Sequence, residues 1–369
     1  MYGAILKAIP YVLVAFLIAL VLTPLIKIIG VSTGAYATEN NRTVHHGKIV
    51  RIGGLAIFTA FCITMALFVK ADRTIDGILM GGLIVFVAGL IDDIINLKPL
   101  YKFLLQIVGA VIAVWMGKIS LTLFSDVPMF NGISFFISVF WIVGVTNAIN
   151  LIDGLDGLSS GISMIVLIVI GFIAYFMKRA DVAIIALILV GSIGGFLPYN
   201  FHPASIFVGD SGALFMGYMI ACLSLLGFKS STFITLGFPI IILFVPLADT
   251  SLAIIRRKVK GQKISEADRS HLHHVLMYKI GFGHKNTVLL LYGVTAAFGV
   301  CAIITYFNTI LGTIILFILS LSAWIFIELT GMINYKFHPL ISLCRLITGH
   351  PTKDDNSIFE ANKIHHKEK

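Results

Sequence analysis

The sequence predicts an all-α, polytopic membrane protein of about eleven transmembrane helices, N-terminus outside and C-terminus in the cytoplasm. Three observations carry this prediction. Of 369 residues, 58% are hydrophobic and only 12% charged, with a mean hydropathy of +0.98; a soluble domain carries roughly twice that share of charge. The apolar residues fall in runs close to the roughly 20 that cross a bilayer as a helix. The Lys and Arg residues fall mostly on one side of those runs.

In order, the runs are 4–29, 53–70, 76–91, 102–117, 133–150, 159–177, 182–199, 212–228, 232–255, 287–307 and 309–329. A backbone in hydrocarbon must satisfy its own N–H and C=O groups, so each run is a helix. The first contains Lys7 and Pro10 and lacks a small-residue cleavage site, so it reads as a retained span rather than a leader. Cys62, Cys222, Cys301 and Cys344 are isolated, without metal-ligand or disulfide spacing. Of the 27 Lys and Arg residues, only Lys7, Lys70, Arg73, Lys118, Lys178, Arg179 and Lys229 belong to the N-terminus and the even-to-odd connections. The others mark the opposite side as cytoplasmic. The net charge of +9 is therefore concentrated on that face, suited to anionic headgroups or substrates.

The unusual polar clusters share the basic side. Asp92 and Asp93 close the third span in "GLIDDIINLKP". Adjacent carboxylates at a helix C-terminus repel each other and oppose the macrodipole, so compensation by a metal or by Lys98 or Lys102 is expected. In "NAINLIDGLDGLSSG" the polar residues Asn147, Asn150, Asp153 and Asp156 recur every third position, which lets neighbours share a helix face. Gly154 and Gly157 let the chain turn closely around a ligand. "NFHPASIFVGDSG" brings Asn200, Phe207 and Asp210, and "ADRSHLHH" brings His271, His273 and His274. Asp249, in "PLADTSLAIIRR", is an acid inside a span. Such acids pair or line a cavity, and Arg256 or Arg257 is its expected partner.

Several familiar patterns are excluded. "DGLDG" lacks the remaining ligands of a calcium loop. "GDSG" has no all-β domain to make Ser211 a protease nucleophile. "HLHH" lacks the second ligand pair of a zinc finger, so its histidines read as hydrogen-bonding partners of phosphate. Hard Asp and Asn oxygens favour Mg²⁺, with Mn²⁺ the alternative, sharing its shell with substrate phosphates. A basic, histidine-bearing loop at the membrane edge suits a diphosphate and a lipid. Together these features predict metal-assisted phosphoryl transfer to or from a membrane lipid.

The ordered set "LIDD", "NAINLIDGLDGLSSG", "NFHPASIFVGDSGALFMG" and "ADRSHLHH" resembles the polyprenyl-phosphate N-acetylhexosamine-1-phosphate transferases over residues 1–330. "HLHH" resembles the WecA/TagO branch, undecaprenyl-phosphate GlcNAc-1-phosphate transferases. The MraY branch, which uses UDP-MurNAc-pentapeptide, carries a longer histidine run followed by an acid; Val275 and Leu276 stand there instead. The early loop "ATENNRTVHHGKIVRIGG" departs from the branch pattern at Ala37, Glu39, Lys48 and Val50, and keeps Arg42, His45, Arg51, Gly53 and Gly54.

The resemblance implies transfer of GlcNAc-1-phosphate from UDP-GlcNAc to undecaprenyl phosphate with release of UMP. This would be the first membrane step of a cell-envelope glycopolymer such as teichoic acid or O-antigen, in a bacterial inner membrane with the site facing the cytoplasm. It implies catalytic roles for Asp92, Asp93, Asp153, Asp156, His271, His273 and His274, and Mg²⁺ ligation by Asp210 and Asn150. Asn200, Phe207, Leu155 and Asp156 correspond to a uridine pocket, and Arg257, with Arg51, Lys98 and Lys102, to phosphate or sugar contacts. Tunicamycin sensitivity follows from the same likeness. Another UDP-N-acetylhexosamine or UDP-MurNAc-pentapeptide is the nearer alternative substrate, and a secondary transporter of anionic metabolites the alternative of another class. No nucleic-acid partner is expected, and a homodimer stays open. Residues 1–330 are expected to form the transferase domain and 331–369 a basic cytoplasmic tail.

Overall fold

The computed structural model describes residues 2–36, 49–70, 72–120, 130–228, 233–259, 261, 271–330 and 332. The 37–48 part of the early loop, the 262–270 part of the histidine loop and the tail beyond 332 lie outside them.

The described residues are helical apart from connections and one isolated antiparallel bridge, Tyr36 to Val50. The helices are α1 (Tyr2–Thr33), α2 (Gly54–Phe68), α3 (Arg73–Ile95), α4 (Pro99–Met116), α5 (Phe130–Leu151), α6 (Leu158–Phe176), α7 (Ala180–Asn200), α8 (Gly209–Gly227), α9 (Phe233–Ile242), α10 (Phe244–Val259), α11 (Leu272–His274), α12 (His284–Phe307) and α13 (Thr309–Thr330); α11 runs into a π-helical turn, Val275–Lys279.

Every predicted span meets a helix, with two departures. Among the described residues, nine helices are long and apolar enough to cross a membrane. The predicted span 232–255 is instead two helices, α9 and α10. Pro246 has no N–H to give the carbonyl of Ile242, and its ring crowds that carbonyl; α9 ends at that residue. α2 has 15 residues, about 22 Å of helix against a hydrocarbon core of about 30 Å.

α8 is the axis of the bundle: 94% of its span is buried, against 11% for α13, whose apolar surface faces outward. Close packing without a hydrophobic driving force needs small residues, and glycines supply the contacts. A Cβ on Gly54 of α2 would collide with Gly212 of α8, one on Gly89 of α3 with the Ser211 backbone, and one on Gly191 of α7 with the Val12 carbonyl of α1. Phe58 and Phe86 stack at 3.9 Å, and Phe215 meets Phe58 edge-on at 5.0 Å. Polar side chains tie helices together inside the bundle: Tyr218 Oη donates to the Ile78 carbonyl at 3.0 Å, and Trp141 Nε1 to Ser224 Oγ at 3.0 Å. The ends of α3, α5 and α7 meet the starts of α2, α4, α6, α8 and α12 at one end of the bundle. The contacts described next tie those ends together.

Candidate active site

The last turn of α3, the first of α8 and the first of α4 form a cluster of alternating charge. Asp93, with no exposed side-chain surface, accepts from the backbone N–H groups of Asp210 (2.8 Å) and Ser211 (2.9 Å). It thus sits on the positive end of the α8 dipole. Gly209, at φ 69°, makes the turn into α8; a Cβ there would strike the Arg51 carbonyl and the Asp93 carboxylate, so the glycine of "GDSG" is required by space as well as by conformation. Arg51 Nε lies 3.2 Å from Asp93 Oδ1, and its Nη2 3.8 Å from Asp210 Oδ1. Asp92 accepts from the Leu97 N–H at 2.7 Å and pairs with Lys102 Nζ at 3.3 Å. Lys102 also pairs closely with Asp210. Three carboxylates therefore surround two cations, the compensation the adjacent acids demanded.

Arg51 is delivered by backbone pairing. Its N–H bonds the Ala35 carbonyl at 3.1 Å, Phe207 N–H bonds Val50 O at 2.8 Å, and Gly53 N–H returns to Phe207 O at 3.0 Å. The entry to α2 and the approach to α8 thus run side by side, fixing Arg51 and Phe207 together. Asp153, in the turn after α5, accepts from Ser159 Oγ at 2.6 Å. Desolvation pushes its carboxyl up to about 7; the nearby negative charges of Asp210 and Asp93 add to this, and the Ser159 bond and Arg51 oppose it. Asn150 is half-buried one turn earlier, at the end of α5.

A second cluster centres on Asp156. Its Oδ2 meets His202 Nδ1 at 2.8 Å and the Ala204 N–H at 3.1 Å, and lies 4.0 Å from His284 Nε2. The His202 and His284 rings stack at 4.1 Å. Asp156, His202 and His284 offer ligating atoms within 4.8 Å of one another, a softer donor set than the three carboxylates of the first cluster. Asn200 is buried; it accepts from Ser160 Oγ at 2.9 Å and donates to Ile206 O at 3.1 Å, which holds the loop before α8 in shape. Leu155 is part of the core.

The histidine loop reaches the same end. A Cβ on Gly154 would collide with the His273 ring, so His273 rests against the backbone between Asp153 and Leu155. Burial, with neighbouring His274, pushes the His273 ring down to about 3, which favours its neutral form. His273 and His274 lie 4.3 Å apart, ring to ring.

The structure thus gathers Arg51, Asp92, Asp93, Lys102 and Asp210, with Asp153 in electrostatic reach, and places Asp156 and Asn200 in an adjoining network. Lys102, not Lys98, answers the acid pair; Lys98 is exposed at the cap of α4. The expected partnership of Asp249 with Arg256 or Arg257 is corrected: Asp249 bonds His271 and the Leu272 N–H, and Arg256 Nη1 donates to the Met332 carbonyl at 3.2 Å. Arg257 is buried in the last turn of α10. His202 and His284 were missed. His202 stood within a quoted motif and His284 opens α12 on the basic side, but their meeting depends on three helix ends converging.

Residues 75–228, which hold the three acidic motifs from α3 to α8, match the family model described as glycosyl transferase family 4. The chain is 41% identical over 336 residues to a probable undecaprenyl-phosphate N-acetylglucosaminyl 1-phosphate transferase of Bacillus subtilis, covering 89% of this chain and 93% of that one. It is 32% identical over 317 residues to a decaprenyl-phosphate N-acetylglucosaminephosphotransferase of Mycobacterium tuberculosis, covering 76% and 78%. It is 29% identical over 299 residues to a phospho-N-acetylmuramoyl-pentapeptide-transferase of Staphylococcus saprophyticus, covering 74% and 90%. Fold and likeness together define a multi-pass membrane phosphoglycosyltransferase. The chain belongs to glycosyl transferase family 4, the polyprenyl-phosphate N-acetylhexosamine-1-phosphate transferases.

Proposed function

We propose that this protein transfers N-acetylglucosamine 1-phosphate from UDP-GlcNAc to undecaprenyl phosphate, releasing UMP, on the cytoplasmic face of a bacterial inner membrane. The observation that carries the reading is the meeting of Asp92, Asp93 and Asp210 with Lys102 and Arg51 at one end of the bundle. The names of the relatives supply the substrate class.

The cluster fits a hard divalent cation. Asp92 and Asp210 already present carboxylate oxygens around a single positive charge, the Lys102 ammonium, and Mg²⁺ takes such oxygen donors, one or two carboxylates at a time. Asp210, with Asp92 or Asn150, would hold the ion, with Mn²⁺ as the alternative. Once bound, it would supply neutralisation of the diphosphate's charge.

The chain's own residues account for the rest. Arg51 and Lys102 bind and orient phosphate oxygens. Asp93, fixed by the α8 amides, keeps Arg51 and the start of α8 in register. A lipid phosphate oxygen attacks the β-phosphorus; the bond from that phosphorus to the bridging oxygen breaks, and the oxygen leaves with its electron pair on UMP. A phosphate monoester has its second pKa near ~6, so the attacking group needs no base at neutral pH, and Asp93 serves as a positioning group. Phe207 meets uracil, Asp156 and Asn200 shape that pocket, and the 271–274 histidines contact diphosphate or sugar. Residues 1–330 form the catalytic unit, with 331–369 as a tail.

The test is incubation of purified protein with undecaprenyl phosphate, Mg²⁺ and a panel of radiolabelled UDP-sugars. GlcNAc label in the organic phase, matched by UMP and blocked by tunicamycin, is the expected result. Product from UDP-MurNAc-pentapeptide alone would move the protein to the other branch, and uptake without lipid-linked product would make it a transporter. Sugar-phosphate trapped on the protein without acceptor would replace direct attack by a two-step route.

A further inference from the structure

Asp249 of α10 is buried and lines a cavity of about 320 Å³ whose other walls include Val245, Leu252, Leu276 and Phe298. A carboxylate in such surroundings is costly unless its oxygens are engaged. Both are, and differently: Oδ1 accepts from the Leu272 N–H at 2.7 Å, and Oδ2 meets His271 Nδ1 at 2.8 Å. One side chain thus sets both the path of the histidine loop and the angle of the His271 ring, from an element 22 residues away in the chain. The His271 ring lies nearly parallel to that of His273, at 5.8 Å and 10°, and His273 rests on Gly154 beside Asp153. A continuous set of contacts therefore runs from the broken helix to the acidic turn.

We propose that Asp249 is a positioning residue that keeps a proton on His271 Nδ1 and so assigns Nε2 to an anionic phosphate of the donor substrate. A carboxylate accepts only, so the ring nitrogen facing it must carry hydrogen. The same carboxylate stabilises the imidazolium that forms when Nε2 takes a second proton opposite a phosphate. This inference rests on the transferase reading above, in which the 271–274 histidines meet the diphosphate or sugar.

The Asn variant separates positioning from simple support. In Asp249→Asn the amide oxygen keeps the Leu272 N–H, and the amide N–H₂ then faces Nδ1, which must become an acceptor; the neutral ring is driven to the Nε2–H form. The experiment compares ¹⁵N-histidine spectra of the detergent-purified full chain, with His271 assigned by its loss in His271→Ala, alongside kinetics. The wild-type ring should carry its proton on Nδ1 and the Asn variant on Nε2. kcat/KM for UDP-GlcNAc should fall roughly 10- to 100-fold, the scale seen when the outer partner that orients a metal-bound histidine is removed, with KM for the lipid unchanged. Asp249→Asn/His271→Ala should be no slower than His271→Ala alone. A wild-type ring protonated only on Nε2 overturns the inference even if the Asn variant does not fold, and so do multiplying effects in the double variant. A wild-type turnover rate in His271→Ala also overturns it. Failure of the transferase reading would show separately, as no lipid-linked product from the unaltered protein.

Discussion

Asp93, in the last turn of α3, accepts a 2.8 Å hydrogen bond from the backbone N–H of Asp210, the second residue of α8. A side chain of one acidic motif thus holds the main chain of another, and the Ser211 N–H at 2.9 Å completes the cradle. The two adjacent acids of α3 therefore do different things. Asp93 has no exposed side-chain surface and fixes a helix start; Asp92 keeps 11% exposure and shares Lys102 with Asp210.

This division predicts unequal damage. Asp93→Asn would set an amide N–H₂ against a backbone N–H, losing a charge-assisted bond of about 1.5–3 kcal/mol. It should lower Tm in detergent by several degrees and abolish turnover. Asp92→Asn keeps an acceptor for the Leu97 N–H and should lose turnover with a smaller Tm change. Thermal unfolding alongside the radiolabel assay measures both, and equal Tm losses would remove the distinction.

Lys102 lies between Asp92 and Asp210, the two carboxylates proposed above to hold the divalent ion. Lys102→Met should therefore lower the Mg²⁺ concentration at half-maximal rate several-fold, by removing a competing cation, while kcat falls at least tenfold for want of a phosphate contact. A Mg²⁺ titration of both proteins reads this, and an unchanged midpoint would place the ion elsewhere.

Phe207 is half-buried with its backbone tied to Val50 and Gly53. Under the proposal that Phe207 meets uracil, stacking worth about 1–3 kcal/mol means that Phe207→Ala should raise KM for UDP-GlcNAc roughly tenfold and leave lipid KM alone. Equal changes in both constants would end the stacking role.

These residues also show what the sequence could and could not disclose. The helices were legible because bilayer length and composition leave few alternatives, and the acidic motifs stood out against that background. The Asp92–Asp93 repulsion even predicted a cation, though not which lysine: Lys102, on α4, turns toward the acids, whereas Lys98 caps the helix and points to solvent. The break between α9 and α10 was readable from Pro246, yet hydropathy alone runs through it. The pairings of Asp156 with His202 and of Asp249 with His271 were not readable, because each joins segments whose proximity is set by helix packing rather than spacing.

Asp153 carries a pH signature. Its folded value of about 7 lies above the ordinary 3.8, so between those values the folded protein holds a proton that the unfolded chain has released. Stability then falls as pH rises from about 4 to 7, and levels off above that. Asp153→Asn keeps the bond from Ser159 and has nothing to ionise. Its Tm advantage over the unaltered protein should be small at pH 5 and widest at pH 8. A gap that stays constant across that range would show that Asp153 ionises normally.

The contact between α2 and α8 sets the last expectation. Gly54 has no room for a Cβ, because the Gly212 backbone fills the space, with Ser211 Oγ at 2.8 Å from where that atom would lie. Gly54→Ala should push α2 away from α8, carrying with it the 50–53 segment that positions Arg51, at a cost of about 1–3 kcal/mol for overpacking. Both Tm and turnover should drop. Gly293, inside α12, has nothing within 4 Å of such a Cβ, and Gly293→Ala should raise helix stability by about 0.5–1 kcal/mol with unchanged turnover. If the two variants behave alike in thermal unfolding and assay, the close approach of α2 to α8 is not what holds Arg51 against Asp93.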